Sequence, residues 1–256
     1  DASLINFKLA KDSVFKKSLP TNFVTPSILD YQILKYIGLP NASYGKDFDS
    51  LFVPFRCVAT DVYKKESIIF KDGDLNAAVR ASMTYPFYLN PIRINGALLF
   101  DGGLYNNFPA DVMYQDFDVD YIIGSNVSSN DGPPKEDDLF SQLSTMFISK
   151  TNYSLPCENG IIIEPNSDVG TFDFSKADRA IRRGYQIGLQ HIDSIKEHVK
   201  RRVTVEELEV KRQMFRKNIQ PVVVNELTVN SYTNENVSFV KTDFMKDSLG
   251  KPLSER

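Results

Sequence analysis

Two short apolar runs, Ile92-Arg93-Ile94 and Ala97-Leu98-Leu99-Phe100, are separated by Asn95-Gly96 alone. A two-residue connection between apolar runs leaves little choice but an antiparallel hairpin. Both turn residues need positive φ, which Asn and Gly tolerate. The second strand runs without a break into Asp101-Gly102-Gly103. The hairpin therefore delivers a carboxylate to a strand end, where sites gather in open α/β sheets. The two glycines let the backbone turn sharply and keep side chains away from the carboxylate. Such a carboxylate can orient or deprotonate a hydroxyl nucleophile. Taken alone, Asp-Gly-Gly is also what an ordinary turn looks like.

The surroundings of the hairpin alternate in character. Residues 52–59 and 67–70 read as strands, and Asp74 caps a helix that Pro86 ends. A short helix starts near Pro109, and 121–124 is a strand. Residues 137–150 are helical, with Leu139, Phe140, Leu143 and Phe147 on one face. Ile161-Ile162-Ile163 is a buried strand, and 175–202 is one long helix. Thr204 and Glu207 form a capping box for a last helix to about Lys217. Upstream of 50, prolines 20, 26 and 40 interrupt the pattern, leaving a short helix over 27–37 with Ser27 as its cap. Strands alternating with helices predict an α/β layer fold with a mostly parallel sheet and one antiparallel hairpin. The basic stretch 211–217 reads as a spacer. Beyond it the character changes, with a strand over 222–229 and a helix over 239–248, so 1–217 and 218–256 read as two units.

A net charge of -3 and a pI near 5.5 argue against a nucleic-acid binder. A hydrophobic fraction of 42% fills a core, yet no apolar run approaches the roughly 20 residues of a membrane-spanning helix. Cys57 and Cys157 read as free thiols, the first buried in a strand. The chain opens on Asp1-Ala2-Ser3 and stops at Ser254-Glu255-Arg256 without a structural signal, so both ends are expected to be boundaries of processing or trimming.

The motifs fall in a definite order. Phe55-Arg56-Cys57-Val58-Ala59-Thr60-Asp61 is followed by Gly73-Asp74-Leu75, then Val79-Arg80-Ala81-Ser82-Met83, Tyr85-Pro86-Phe87 and Pro91. Then come Ile94-Asn95-Gly96, Leu99-Phe100-Asp101-Gly102-Gly103, Asn106-Asn107-Phe108-Pro109 and Asp111-Val112. Over roughly residues 50–130 this series resembles the distal part of patatin-like phospholipase domains. The resemblance implies a three-layer α/β fold and a serine acyl hydrolase working through a Ser–Asp dyad without cofactor or metal. In that family the dyad aspartate belongs to an Asp-Gly-Gly or Asp-Gly-Ala motif, which here falls on Asp101, Gly102 and Gly103. The family's serine sits upstream, in a Gly-x-Ser-x-Gly elbow preceded by a glycine-rich oxyanion loop. Neither occurs in these 256 residues; Gly124-Ser125-Asn126 lacks the second glycine. The N-terminal, nucleophile-bearing part of the fold is therefore expected to lie outside this chain.

Other candidates read more plainly. Ser82 follows Arg80-Ala81 at a helix end without the glycines of an exposed elbow. Asp61 reads as a hydrogen-bonded loop carboxylate, and Arg80 as the partner of a carboxylate that the sequence does not name. His191 and His198, seven apart on one predicted helix, read as surface or interface residues; the competing reading makes one of them the base of a triad with Asp101. No cysteine or histidine has zinc-ligand spacing. The basic run 196–202, with Arg182 and Arg183 upstream, reads as a solvated face or as a site for anionic head groups.

The resemblance thus implies part of a lipid acyl hydrolase, inactive alone, acting on a lipid or acyl-ester substrate; a membrane surface and further copies of the chain are the other expected partners. The alternative is a non-catalytic patatin-like binding or structural domain. The segment from 222 resembles the start of a POTRA-type module, which implies a bacterial envelope protein, in the periplasm or outer membrane, or a secreted one.

Overall fold

The computed structural model describes residue 24 and residues 26–128, 130, 136–137, 139–200 and 202–219. Its centre is strand β1 (Cys57–Asp61), flanked by β2 (Glu66–Phe70) and β4 (Ala97–Asp101), with β3 (Ile92–Ile94) outside β4. Four described helical segments come before it: α1 (Ser27–Ile33), a π-helical turn (Leu34–Gly38), α2 (Leu39–Ser43) and a 3-10 turn (Phe48–Ser50). Helix α3 (Leu75–Ser82) lies between β2 and β3 in the chain, and α4 (Ala110–Asp116) follows β4. A second sheet pairs β5 (Ile122–Ser125) with β6 (Gly160–Ile163) across α5 (Leu139–Phe147). Helices α6 (Ala177–Gln190), α7 (Ile192–His198) and α8 (Val205–Asn218) complete the described part.

The α/β class matches the expectation, while the strand directions differ from it in part. Among the described residues only β5 and β6 run parallel; the four strands of the sheet that contains β1 pair antiparallel throughout. Connection length is the reason in two of the three antiparallel pairs, β1–β2 and β3–β4. Four residues join β1 to β2 and two join β3 to β4, which only an antiparallel pair allows. The long connection holding α5 permits the parallel pair.

The hairpin forms at the predicted place. Ile94 faces Ala97, and Asn95 and Gly96 take φ of 50° and 85°. One face of the sheet is then covered by α3. Ala59, Leu99 and Ala81 are fully buried together, with Ile68, Ile92 and Ile94 packed against them. Asp74 starts this helix as predicted, accepting from the N–H groups of Asn76 and Ala77. Phe48, Leu75 and Ala78 form a second core beside it.

Four local expectations are corrected. Ser27 caps nothing: α1 starts after Pro26 without a side-chain cap, and helical structure continues beyond 37, through α2. The strand expected over 52–59 begins only at Cys57, which faces Phe70 at the end of β2: the next carbonyl, Lys71, is taken by the Phe48 N–H, Phe55 gives its N–H to the Phe48 carbonyl, and Pro54 has no N–H to give a ladder. The long helix 175–202 is broken at His191, whose N–H bonds the Gly188 carbonyl three residues back. Gly184 and Gly188 weaken the helix just before the break. The stretch 211–217 is helical as expected, the second half of α8, but instead of spacing two units it docks. Phe215 stacks on Tyr44 at 4.4 Å and meets Phe52 edge-on at 5.6 Å. The predicted capping box of Thr204 and Glu207 starts this helix. The strand over 222–229 and the helix over 239–248 lie outside the described residues.

Candidate active site

Asp101 is the last residue of β4, opposite Ala59 of β1. Its N–H donates to the Thr84 carbonyl at 2.9 Å, which ties the strand end to the turn after α3. The chain then winds into a single 3-10 turn, Gly102–Leu104. Within that turn the Gly103 N–H donates to Asp101 Oδ1 at 2.7 Å. One carboxylate oxygen is thus fixed by the backbone, while Oδ2 has no hydrogen-bond partner among the described residues. Burial pushes the Asp101 carboxyl above the usual carboxylate range, and the Gly103 N–H partly offsets this. A partly desolvated, oriented carboxylate with one free oxygen can accept a hydroxyl proton.

The two glycines have separate reasons. A Cβ on Gly102 would stand 2.3 Å from the Val58 carbonyl oxygen, so the turn passes directly over β1. A Cβ on Gly103 would stand 2.7 Å from Asn107 Oδ1 and 3.0 Å from Asp101 Oδ1, crowding the carboxylate. Close approach to the β1 backbone, rather than positive φ, requires glycine at 102; at 103 the atoms met are side-chain ends, so a Cβ there would have to push Asn107 and the Asp101 carboxylate aside.

The remaining candidates are placed as follows. Asp61 is buried and accepts from the N–H groups of Tyr63 and Lys64, closing the β1–β2 turn. Arg80 finds its carboxylate in Asp30 of α1 at 2.7 Å, and also binds the Thr84 hydroxyl and the Asn90 carbonyl. It is a buried clamp on the turn that holds Asp101. Ser82 ends α3 and sits in no glycine elbow. His198 stacks on Tyr121 at 4.7 Å, its Nδ1 against the Ser194 carbonyl, and His191 lies at the helix break. Arg182 and Arg183 line an open cleft of about 420 Å³ with Arg179, Gln186 and residues 166–168, and Asp101 is not among its walls. Both cysteines are free, and burial pushes the Cys57 thiol up to about 12.

Sequence reasoning missed Thr84, Asp30 and Asn107. Each acts through a backbone bond, an ion pair or a close approach that joins separate stretches of chain. Only their nearness to the motifs could have drawn attention to them.

The fold and this geometry define an α/β protein that presents an oriented carboxylate at a strand end. Residues 20–114, which contain it, match the family model described as patatin-like phospholipase. The match starts earlier than the motif series and stops sooner. Patatin-like phospholipase domain-containing protein 6 of Homo sapiens is 39% identical over 88 residues, 34% of this chain and 6% of that protein. An uncharacterized NTE family protein of Mycobacterium tuberculosis is 41% identical over 68 residues, 27% of this chain and 12% of that protein. A patatin-like phospholipase domain-containing protein of Caenorhabditis elegans is 42% identical over 67 residues, 25% of this chain and 5% of its own length. The chain spans only a small fraction of the length of these relatives.

Proposed function

We propose that this chain carries the carboxylate half of a patatin-like serine acyl hydrolase acting on lipid esters, with the serine outside these 256 residues. The observation that supports this reading is Asp101, held by Gly103 N–H with its other oxygen unpartnered among the described residues, inside a segment that matches patatin-like phospholipase. Asp101 takes the proton of the serine hydroxyl as that oxygen attacks the ester carbonyl. Asp101 passes that proton to the leaving alkoxide, which departs as the alcohol; it then takes a proton from the water that attacks the acyl-enzyme and returns it to the serine oxygen as the acid leaves. The chain alone is inactive, since loss of the nucleophile costs about 10⁶ in turnover in a related triad enzyme.

Fluorophosphonate labelling, read by intact mass, tests this on the chain and on a longer form extended upstream. Labelling of the longer form alone, abolished by Asp101→Asn, is the expected result. A label on Ser82 or another serine of this chain overturns the assignment. No label on either form favours the second reading, a non-catalytic binding or structural domain, for which the lack of any Gly-x-Ser-x-Gly is the supporting observation. A POTRA-like unit over 218–256 would place the protein in the bacterial envelope, which cell fractionation tests.

A further inference from the structure

The turn between α3 and β3 stands next to Asp101, because the Asp101 N–H is bonded to the Thr84 carbonyl. Tyr85, Phe87 and Tyr88 follow at once. Phe172, from the loop between β6 and α6, folds over this turn. Its ring stacks on Tyr88 at 4.4 Å and meets Tyr85 edge-on at 5.3 Å. The cluster is not closed off: Phe172 keeps 40% of its surface exposed and Phe87 keeps 36%.

The turn is also strained and rigid. Phe87 has φ of 66°, the left-handed region that bulky side chains avoid. Such strain persists only where the surroundings over-determine it, and it concentrates at ligand sites. Here the Tyr85 carbonyl accepts from both Tyr88 and Leu89 N–H, Leu89 is buried, and Arg80 holds the Asn90 carbonyl at 3.0 Å. A fixed ledge of aromatic rings, open to solvent and joined to a strand end bearing a carboxylate, suits a flexible hydrocarbon chain. The rings supply large apolar contact area without having to be ordered on binding.

We infer that Tyr85, Tyr88 and Phe172 form the wall against which the fatty acyl chain of the substrate lies. The catalytic purpose of this wall rests on the hydrolase reading above; the binding itself requires no serine. The chain contains no tryptophan, so Phe172→Trp creates a single fluorescent reporter on the ledge. Titration with dibromostearate below its micelle concentration should quench this tryptophan saturably. Tyr63→Trp, on a residue 92% exposed at the β1–β2 turn, should show no saturable quenching. In the Phe172→Trp protein, Tyr88→Ala should weaken binding about tenfold, and Tyr88→Phe, which keeps the ring, should leave it unchanged. No saturable quenching at position 172, equal quenching at both reporters, or equal losses in the two Tyr88 variants each overturn the proposal. Saturable quenching without labelling of the longer form removes the catalytic reading and leaves the wall. Labelling without quenching removes the wall alone.

Discussion

Asp101 sits in a position of conflict between burial and charge. Its pKa is raised by desolvation, so the folded protein binds more protons than the unfolded chain between the ordinary carboxyl value, about 3.9, and the raised one. Stability attributable to this group therefore falls as pH rises through that window and stays lower above it. Asp101→Asn keeps an oxygen for the Gly103 N–H and removes the charge. It should melt at a higher temperature than the parent at pH 7, and the difference should close as pH falls toward about 4. A variant that melts lower at pH 7 would show that the carboxylate stabilises the fold. Gly102→Ala makes the opposite kind of change. The added Cβ meets the Val58 carbonyl, which is backbone and cannot swing aside, so unfolding in urea should show a loss of about 1–3 kcal/mol.

Among the elements, those built from local signals were legible beforehand. The Asn95-Gly96 turn, the Asp74 cap and the Thr204–Glu207 box each lie within a few residues of the structure they specify. Thr204→Ala removes the Glu207 N–H acceptor, and should cost α8 about 1 kcal/mol, read as faster amide exchange at its first turn. Elements decided by distant partners were not legible. The strand start at Cys57 depends on Phe48, whose N–H takes the Lys71 carbonyl and whose own carbonyl takes the Phe55 N–H. The docking of α8 depends on Tyr44 accepting Phe215 against its ring and giving its hydroxyl to the Phe215 carbonyl at 3.0 Å.

At the scale of the whole molecule, α6 presents a problem that the described residues do not solve. Ile181, Tyr185 and Leu189 lie on one stripe and are 68%, 67% and 50% exposed. Contiguous apolar surface of this kind favours association. We propose that copies of the chain self-associate through it. Light scattering should show a mass that rises with concentration, and Tyr185→Lys should lower it; a constant monomer mass at high concentration would refute the idea.

The sequence by itself determined the α/β class, the hairpin, the Asp74 and Thr204 helix caps and the carboxylate at the strand end. Each rests on backbone preferences or on periodicity that a short stretch of chain carries within itself. Strand direction was legible only at the hairpin, because elsewhere it follows from how long a connection the folded chain spans. Only the tertiary structure decided why 102 must be glycine and what the glycine at 103 leaves room for. The reason is the nearness of β1 and Asn107, and separation along the chain says nothing about nearness in space. The same holds for the Arg80 clamp from Asp30 to Asn90, and for the Phe172 ring over Tyr85 and Tyr88, where packing and ion pairing join parts of the chain that no local pattern links.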